Sequence, residues 1–336
     1  MLKKLLPILV CVVMAIGLIG TSAITANADG PGYDKKAGDW GYLKIKGGLQ
    51  LVWLGTKSTV KVPNTLVGKK VLVVYVFTPN VKKVDTSAAK SLKTIGISSG
   101  KLKTVNFTKN TKLEQVSLYT DQKISKLSFA KNKKLKMLSV VGSKIKKLDI
   151  SKNTKLTFLD LGSTAISKLD ASKCKALTNL SLYKVKLKSL NVSKNKKLKA
   201  LSITETPIKK LSIAKSTKLE YLTLKGTKLT SLNITKNKKL KSIYIQESPL
   251  TSLKLPATSN VETLSVLNNK LKSLDISKLT KLQNLDISFN AGLSVDVKTC
   301  KSTIKYIAYS EGKDTKSIYF DSNYDWATNG TIYKNT

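Results

Sequence analysis

Leucine recurs every 21 residues through the middle of the chain, and this spacing organises its hydrophobic pattern. The recurring leucines are Leu148, Leu169, Leu190, Leu211, Leu232 and Leu253. Around them each unit repeats the apolar spacing L-x-x-L-x-L-x-x-T-x-I-x-x-L, as in residues 156–176. The alternation in L-x-x-L-x-L predicts a short strand, with leucines pointing inward and the intervening residues pointing outward.

The same unit can be followed from Val71 to residue 303. Eleven units begin at Val71, Leu92, Leu113, Leu135, Leu156, Leu177, Leu198, Leu219, Leu240, Val261 and Leu282. The step is 21 residues, except for one of 22 where Asp121-Gln122-Lys123 carries an extra residue. Stacked units bury their apolar sides on their neighbours. We therefore expect one elongated domain with a parallel sheet of roughly 50 Å.

The second half of each unit is short and polar. In residues 190–197 an asparagine is followed by serine and then by Lys-Asn, residue types whose side chains bond the nearby backbone and hold turns. This favours a convex side made of turns or 3₁₀ segments rather than α-helices. Asparagines that recur at one position are expected to cap buried turns: Asn110, Asn132, Asn153, Asn195 and Asn237.

The N-terminus carries a targeting signal. Lys3 and Lys4 precede an apolar run, and Ala26-Asn27-Ala28 forms an A-x-A cleavage site, so residues 1–28 are predicted to be a secretory signal peptide. An uncleaved anchor is the alternative. We expect the mature chain to be secreted or extracellular, with association with the cell envelope left open. No later apolar segment is long enough to span a bilayer.

Both ends of the repeat array differ from its middle. Residues 29–39, rich in glycine and charge, predict a linker. Residues 40–70 alternate around Gly47-Gly48 and predict a β-hairpin that caps the first repeat. Residues 304–336 contain a partial repeat and two further strand patterns, at 317–320 and 331–333, joined through Asn329-Gly330. With Trp326, these patterns predict a β-rich C-terminal cap.

The unit resembles the leucine-rich repeats of secreted and surface-attached bacterial proteins. The segment Leu148-Asp149-Ile150-Ser151-Lys152-Asn153 is similar to the internalin-like type, and residues 60–71 resemble the strand and turn that precede the repeats of BspA-like surface proteins. The resemblance implies a right-handed leucine-rich-repeat solenoid that binds proteins or glycans on its concave strand face. The chain departs from the usual pattern at the ninth position of the unit, where asparagine occurs only at Asn269 and Asn290.

The amino-acid composition excludes several kinds of catalytic and metal site. The sequence contains no histidine, which excludes Ser/His/Asp and Cys/His catalysis and zinc sites that need histidine. Phosphate-binding glycine motifs are also missing. We therefore expect no enzyme activity, no cofactor and no metal. Cys174 and Cys300 lie six units apart, roughly 29 Å at the spacing of stacked strands, so a disulfide between them is excluded.

The formal net charge is +40, all of the positive charge coming from lysine. The first nine positions of the eleven units nevertheless carry six lysines and eight acids, so the strand face is close to −2. The acids are Glu114, Asp121, Asp160, Glu205, Glu220, Glu247, Glu262 and Asp286. The excess lysines fall in the turns, where they form either a solvated coat or a surface that attracts polyanions.

Outward aromatic side chains mark the candidate site. Aromatic residues with a polar tip are common anchors in protein interfaces and can stack on sugars. The candidate ligand-binding residues on the concave face are Tyr119, Phe158, Asp160, Tyr183, Glu205, Tyr221, Tyr244 and Glu247. A bland interpretation is that these rings pack on each other.

Two functions therefore remain open. The first is a recognition or adhesion protein that binds a protein or glycan on the concave face. The alternative is a polycationic protein of the cell envelope whose convex and edge lysines bind an anionic cell-wall polymer, glycan or mucin. Nucleic acid is not expected, because the chain is predicted to be exported and has no arginine to read phosphates or guanine in bidentate fashion.

Overall fold

A computed structural model describes residues 35–257, 260–300, 302–319 and 332–334. The predicted signal peptide lies outside the described residues, as do Trp326 and the Asn329-Gly330 turn. Short strands connected by turns make up the described chain, together with one 3₁₀ helix, η1 (Lys298–Cys300), and without an α-helix among these residues.

The strands lie as follows along the chain. They are β1 (Lys35–Ala37), β2 (Trp40–Ile45), β3 (Gly48–Trp53), β4 (Thr59–Lys61), β5 (Thr65–Leu66), β6 (Lys69–Val76), β7 (Lys83–Asp85), β8 (Thr94–Ser99), β9 (Thr104–Asn106), β10 (Gln115–Thr120), β11 (Met137–Ser143), β12 (Phe158–Thr164), β13 (Asn179–Tyr183), β14 (Ser189–Asn191), β15 (Ala200–Thr204), β16 (Lys210–Ser212), β17 (Tyr221–Lys225), β18 (Ser231–Asn233), β19 (Ser242–Gln246), β20 (Ser252–Lys254), β21 (Thr263–Ser265), β22 (Asn284–Asp286), β23 (Ser294–Asp296), β24 (Tyr306–Glu311), β25 (Asp314–Tyr319) and β26 (Ile332–Lys334).

One 17-stranded sheet runs the length of the molecule. From β3 to β24 its successive strands are parallel, apart from the two-residue β5, which pairs antiparallel with β6. Equivalent leucines pair across the repeats, as in Leu159, Leu180 and Leu201. This confirms the predicted β-solenoid with a parallel concave sheet. The register follows from the repeat itself, because a shift of one residue would turn every inward leucine to the solvent.

The core is a continuous stack of aliphatic side chains inside the solenoid. In the unit that begins at Leu156, the inward Leu156, Leu159, Leu161 and Ile166 are all fully buried. The leucine series that reveals the period is less buried: Leu169, for example, is only partly covered. These leucines lie in or beside a second set of short strands at the edge of the core.

The convex side combines turns with those short strands. β4, β7 and β9 form a three-stranded parallel sheet, and β14–β16 and β18–β20 form pairs. After them, an asparagine or aspartate side chain closes a turn, as where Asn191 Oδ1 accepts a hydrogen bond from Ser193 N at 2.9 Å. The turn-rich convex side is confirmed, and the short strands are an addition that the polar composition did not predict.

Buried asparagines stack along this side. Asn153 Nδ2 donates to the backbone oxygens of Phe129 and Asn132, at 3.0 and 2.9 Å, and the equivalent asparagines bond in the same way. The predicted capping role is therefore confirmed, and it joins successive turns. We call this column the asparagine ladder; its members are Asn110, Asn132, Asn153, Asn195 and Asn237, with Cys174 and Ser216 as substitutes.

The N-terminal end is an antiparallel hairpin that feeds the parallel sheet. β2 pairs with β3, and Trp40 and Trp53 meet edge to face with their centroids 5.0 Å apart. Within the expected linker over 29–39, β1 pairs with β2 through a turn at Gly38, whose φ of 59° suits glycine. Residues 29–34 of that linker lie outside the described part.

The C-terminal end is also built from strands. β24 continues the parallel sheet and pairs with β25 as an antiparallel hairpin, whereas β26 pairs with β23 on the other side of the solenoid. The two terminal strand patterns therefore form strands, but each pairs with a repeat strand rather than with the other. Tyr309 and Tyr333 pack together there, with ring centroids 5.6 Å apart.

Candidate binding surface on the concave sheet

The concave face consists of columns of outward side chains at the third, fifth and seventh positions of the units. The fifth position supplies the middle column, which is mostly serine. Parallel pairing places its members directly beside one another: Ser117, Ser139, Asp160, Ser181 and Ser202. We call these five residues the serine column. Their small side chains make a polar strip about 20 Å long at the spacing of adjacent strands.

Asp160 is the charged member of this column. Ser139 Oγ donates a hydrogen bond to Asp160 Oδ2 at 2.8 Å, and Ser181 bonds the carboxylate from the other side. The Tyr119 hydroxyl lies 3.4 Å from Ser139 Oγ, where it can donate in turn. Tyr119 and Asp160 are thus linked through one serine.

Burial raises the pKa of the Asp160 carboxyl group above its usual value, and the two serine hydrogen bonds only partly oppose this. The described residues place no lysine nitrogen within 4.0 Å of Asp160. Its carboxylate is therefore a partly desolvated acceptor without a counter-ion. It can receive a hydrogen bond from an amide, a hydroxyl or an ammonium group of a partner.

Tyr183 is exposed at the seventh position, next to Gly162 in the sheet. Lys184 Nζ lies 5.0 Å from the centre of the Tyr183 ring and 3.1 Å from Glu205 Oε2. Hydrogen bonds to Tyr183 and then to Glu205 raise the pKa of Lys184. The three side chains form one exposed cluster, in which the predicted carboxylate of Glu205 already has a counter-ion.

Tyr221 and Tyr244 occupy neighbouring strands in different columns. Tyr221 is at the third position and Tyr244 at the fifth, where Tyr244 pairs with Thr223, so the two rings start from backbone points about 8 Å apart. Both are exposed. Glu247 at the rim is held by Lys225, with 3.0 Å between Nζ and Oε1.

The candidate aromatic residues do not pack on each other. Tyr183 and Tyr221 are two strands and two columns apart, or about 16 Å, and Phe158 is partly buried beside Asp160 in β12. A ring pair that does form on this face lies outside the candidate set, in the first unit, where Tyr75 and Phe77 pack at 5.4 Å. The eight predicted residues thus share one face but fall into two groups. Tyr119, Phe158, Tyr183 and Glu205 lie around the serine column and its member Asp160, while Tyr221, Tyr244 and Glu247 lie nearer the C-terminal end.

The rim of the concave face has an unusual backbone that the sequence did not reveal. The eighth position of eight consecutive units has a positive φ, yet only two of these residues are glycines: Gly142, Ser163, Lys184, Glu205, Gly226, Glu247, Asn268 and Phe289. In five of these units its N–H donates to the seventh-position carbonyl of the next repeat, as in Glu205 N to Lys225 O at 2.8 Å. These bonds hold side chains in a conformation that normally favours glycine.

Ion pairs balance much of the charge on this face. At the second position, Lys136 bonds Glu114 at 2.6 Å, and Glu220 lies between Lys199 and Lys241 at 3.9 and 3.3 Å. With the rim pairs, five of the six strand-face lysines are paired with four of the acids. The two partners of each pair are 21 or 22 residues apart, so the repeat register alone could have identified them.

A second serine–aspartate pair, which was not predicted from the sequence, lies nearer the C-terminal end. Ser265 Oγ donates to Asp286 Oδ2 at 3.1 Å, at the same fifth position as Ser139 and Asp160. Its sequence signal is an aspartate preceded by serine one repeat earlier.

The described residues contain no group of three side chains suited to a metal ion. None of the helices found among them could span a bilayer.

Comparisons with known proteins give likeness of structure only. No protein-family model and no curated protein matches the sequence. A leucine-rich-repeat protein of Leptospira interrogans matches with a TM-score of 0.59 at 18% identity, covering 71% of each chain. The functional domain of InlJ from Listeria monocytogenes, described as including a cysteine ladder, matches with a TM-score of 0.53 at 21% identity. The match covers 68% of this chain and 62% of that one.

The LRIM1/APL1C complex gives a TM-score of 0.54 at 17% identity, over 78% of this chain and 56% of that one. All three matches fall below the identity at which activity or partners could be transferred. Together with the 21-residue register and the parallel concave sheet, they show that this chain has the fold of leucine-rich-repeat proteins.

Proposed function

We propose that this protein is a secreted, non-enzymatic recognition or adhesion protein that binds a protein or glycan partner on its concave sheet. The observation that carries the proposal is the placement of Asp160. Its carboxylate lies in the middle of an open column of serines, is partly desolvated, and has no lysine partner. Such a group destabilises the free protein, and a hydrogen-bond donor from a bound partner would offset that cost.

The surroundings of Asp160 suit recognition rather than catalysis. Serine hydroxyls flank it, exposed tyrosines offer flat contact surfaces, and the nearby glutamates are neutralised by lysines. Tyrosine contributes large contact area at low entropic cost, and the hydroxyl strip supplies hydrogen bonds. Protein partners are also consistent with the likeness to the LRIM1/APL1C structure, which is described as a complex.

A comparison of two site variants with wild type and a control variant tests the proposal. The protein is used as bait against secreted and envelope fractions and against a glycan array, with Asp160→Asn and a triple Tyr183→Ala, Tyr221→Ala, Tyr244→Ala variant beside it. Tyr319→Ala, which removes an exposed ring from the C-terminal hairpin, is the matched control. A partner retained by wild type and the control, and lost by both site variants, supports the concave site. Equal capture by all four proteins, with intact melting curves, would refute it.

Export is a separate part of the proposal and has its own test. It is supported by the sequence of residues 1–28. Expression in a bacterial host should yield an extracellular product whose N-terminus, determined by mass spectrometry, is Asp29. An intracellular product that retains Met1 or Leu2 would contradict it.

A further inference from the structure

Seven lysines form a straight column on the turn side of the solenoid. They occupy the position just before the asparagine ladder in seven consecutive units, and all are exposed. We call them the lysine column; its members are Lys109, Lys131, Lys152, Lys173, Lys194, Lys215 and Lys236.

The backbone beneath this column is rigid and regular. Asn132 Nδ2 donates to Asn110 O at 2.8 Å, and Asn195 Nδ2 donates to Cys174 O at 2.8 Å, so each turn is bonded to the one before it. Every turn also repeats the same short backbone bond, such as Asn195 N to Val192 O at 2.9 Å. The lysine Cα atoms therefore follow the strand spacing of about 4.8 Å, and the column spans about 29 Å.

Most of the charge of this column is uncompensated, although Lys152 and Lys173 each help to lower the pKa of the aspartate in their own turn, Asp149 and Asp170. The ion pairs of the described chain lie on the concave sheet and at the N-terminal hairpin, and none includes a lysine of the column. The seven turns, at residues 106–112 and their equivalents, hold 17 lysines but only two aspartates, Asp149 and Asp170. Both aspartates already accept hydrogen bonds from the backbone of their own turn.

Like charges at this spacing lie within one Debye length, about 8 Å at physiological salt, so they repel one another. The fold holds them in line through the asparagine ladder. An anionic chain laid along the column would remove that repulsion and release its own counter-ions. A shallow depression of about 390 Å³ beside Lys109, lined also by Lys83 and Asn106, shows that the surface next to the column is open.

We propose that the lysine column is a second binding surface, which takes a linear polymer carrying anionic groups at regular intervals. A straight row of single charges matches such a polymer. Lysine presents a point charge on a flexible stem and does not require the bidentate geometry of arginine. These turns offer no exposed aromatic ring on which nucleic-acid bases could stack, because Phe107 and Phe129 are buried and stacked on each other at 5.8 Å. We therefore expect a polymer without bases.

This surface is independent of the concave site. The two surfaces are formed by different parts of each unit, the concave strand and the turn that precedes it, so one protein could hold an anionic polymer on these turns while its concave sheet remains free. In the cell envelope, that arrangement would retain the protein by charge and leave the recognition face exposed. The shared chemistry is a regularly spaced phosphodiester or sulfate ester, and the test distinguishes these two sources.

The test compares two variants that lose the same charge. The column variant replaces four neighbouring lysines by glutamine: Lys173→Gln, Lys194→Gln, Lys215→Gln and Lys236→Gln. The matched control removes four exposed lysines from other positions of the same four units: Lys168→Gln, Lys188→Gln, Lys209→Gln and Lys228→Gln. Binding of fluorescent poly(glycerol phosphate), heparin and duplex DNA is measured from about 0.05 to about 0.3 M NaCl.

The column variant should bind poly(glycerol phosphate) or heparin at least 10-fold more weakly than the control variant does. Its slope of log affinity against log salt should fall by about 3, as expected for the loss of four ionic contacts. The tighter of the two polymers identifies phosphodiester or sulfate as the source. Equal losses of affinity in both variants would overturn the proposal that the lysine column is the binding surface, since only net charge would then matter. If DNA binds more tightly than both polymers without bases, the proposal that the partner lacks bases is overturned.

Discussion

The side-chain amide of Asn195 donates a hydrogen bond to the backbone oxygen of Cys174, 2.8 Å away and one turn earlier. Cys174 itself stands where most other turns have asparagine, and its sulfur lies 3.6 and 3.7 Å from the oxygens of Ile150 and Asn153. Beyond Asn110, whose Oδ1 accepts a hydrogen bond from Thr86, the ladder uses only donor hydrogens, since the Oδ1 atoms of Asn153 and Asn195 have no hydrogen-bond partner. A thiol can therefore replace the amide, but it is a weaker donor.

Replacing Cys174 by asparagine should stabilise the solenoid. The new amide would bond Ile150 O and Asn153 O in place of weak thiol contacts, as Asn153 bonds the turn before it. We expect the free energy of unfolding in urea to rise by about 1 kcal/mol. The converse change, Asn153→Ala, should lower it by about 3 kcal/mol, because two buried carbonyls lose their donor. A neutral result for Asn153→Ala would contradict the structural role of the ladder.

The thiols of Cys174 and Cys300 should be inert in the folded protein. Both are free and buried, and burial raises the pKa of each to about 11. At pH 8 a maleimide or disulfide reagent should label neither until the chain unfolds. A Thr154→Cys variant, in which the thiol replaces an exposed side chain in a neighbouring turn, supplies the reactive control. Labelling of Cys174 at the control's rate would contradict its burial.

Two glycines at the rim offer a matched pair of substitutions. Gly142 and Gly226 both occupy the eighth position with φ of 75° and 61°. A Cβ on Gly226 would have no atom nearer than 3.5 Å, whereas one on Gly142 would collide with the backbone oxygen of Thr120. Gly226→Ala should therefore cost about 1 kcal/mol for the left-handed conformation alone. Gly142→Ala should cost at least about 3 kcal/mol, because the backbone must also move. Chemical denaturation of both variants measures the difference, and equal losses would contradict it.

The repeat register explains how much of the fold could be predicted. A fixed 21-residue step places Leu159 beside Leu180 and Asn153 beside Asn132, because identical units stack in identical register. The ends were harder. Strand β1 depends on pairing with β2 across one glycine turn, and its own sequence, Lys35-Lys36-Ala37, has no strand-like alternation. Local patterns predict the repeats well because the same hydrophobic pattern recurs in every unit.

The candidate site was only partly predictable, for two physical reasons. The register places Tyr183, Tyr221 and Tyr244 on the outward face, but burial and counter-ions depend on neighbours in other units. Glu205 looks like a free acid in the sequence, yet Lys184 neutralises it from one repeat away. The left-handed rim is hidden because glycine normally marks that conformation, and here bonds between turns impose it on lysine, glutamate and phenylalanine.

The buried charge of Asp160 predicts that Asp160→Asn is stabilising. Its pKa is raised in the folded state, so the ionised carboxylate is less favourable in the folded protein than in the unfolded chain. Asparagine removes that charge and can still accept a hydrogen bond from Ser139. At pH 7 the variant should be more stable than wild type by about 1 kcal/mol in urea unfolding. Well below pH 3.8, the ordinary pKa of aspartate, Asp160 is protonated in both states, and the difference should vanish.

Asp275→Asn provides the opposite control. Asp275 is exposed, and hydrogen bonds to Ser277 lower its pKa, so its ionised form stabilises the fold above the unfolded pKa, and this contribution is lost as the pH falls. Its replacement should slightly lower stability at pH 7 and have no effect at pH 2. If Asp160→Asn behaves like Asp275→Asn, the Asp160 carboxylate is not held at an energetic cost. The position of Asp160 would then no longer indicate a partner, whatever the variant does to binding.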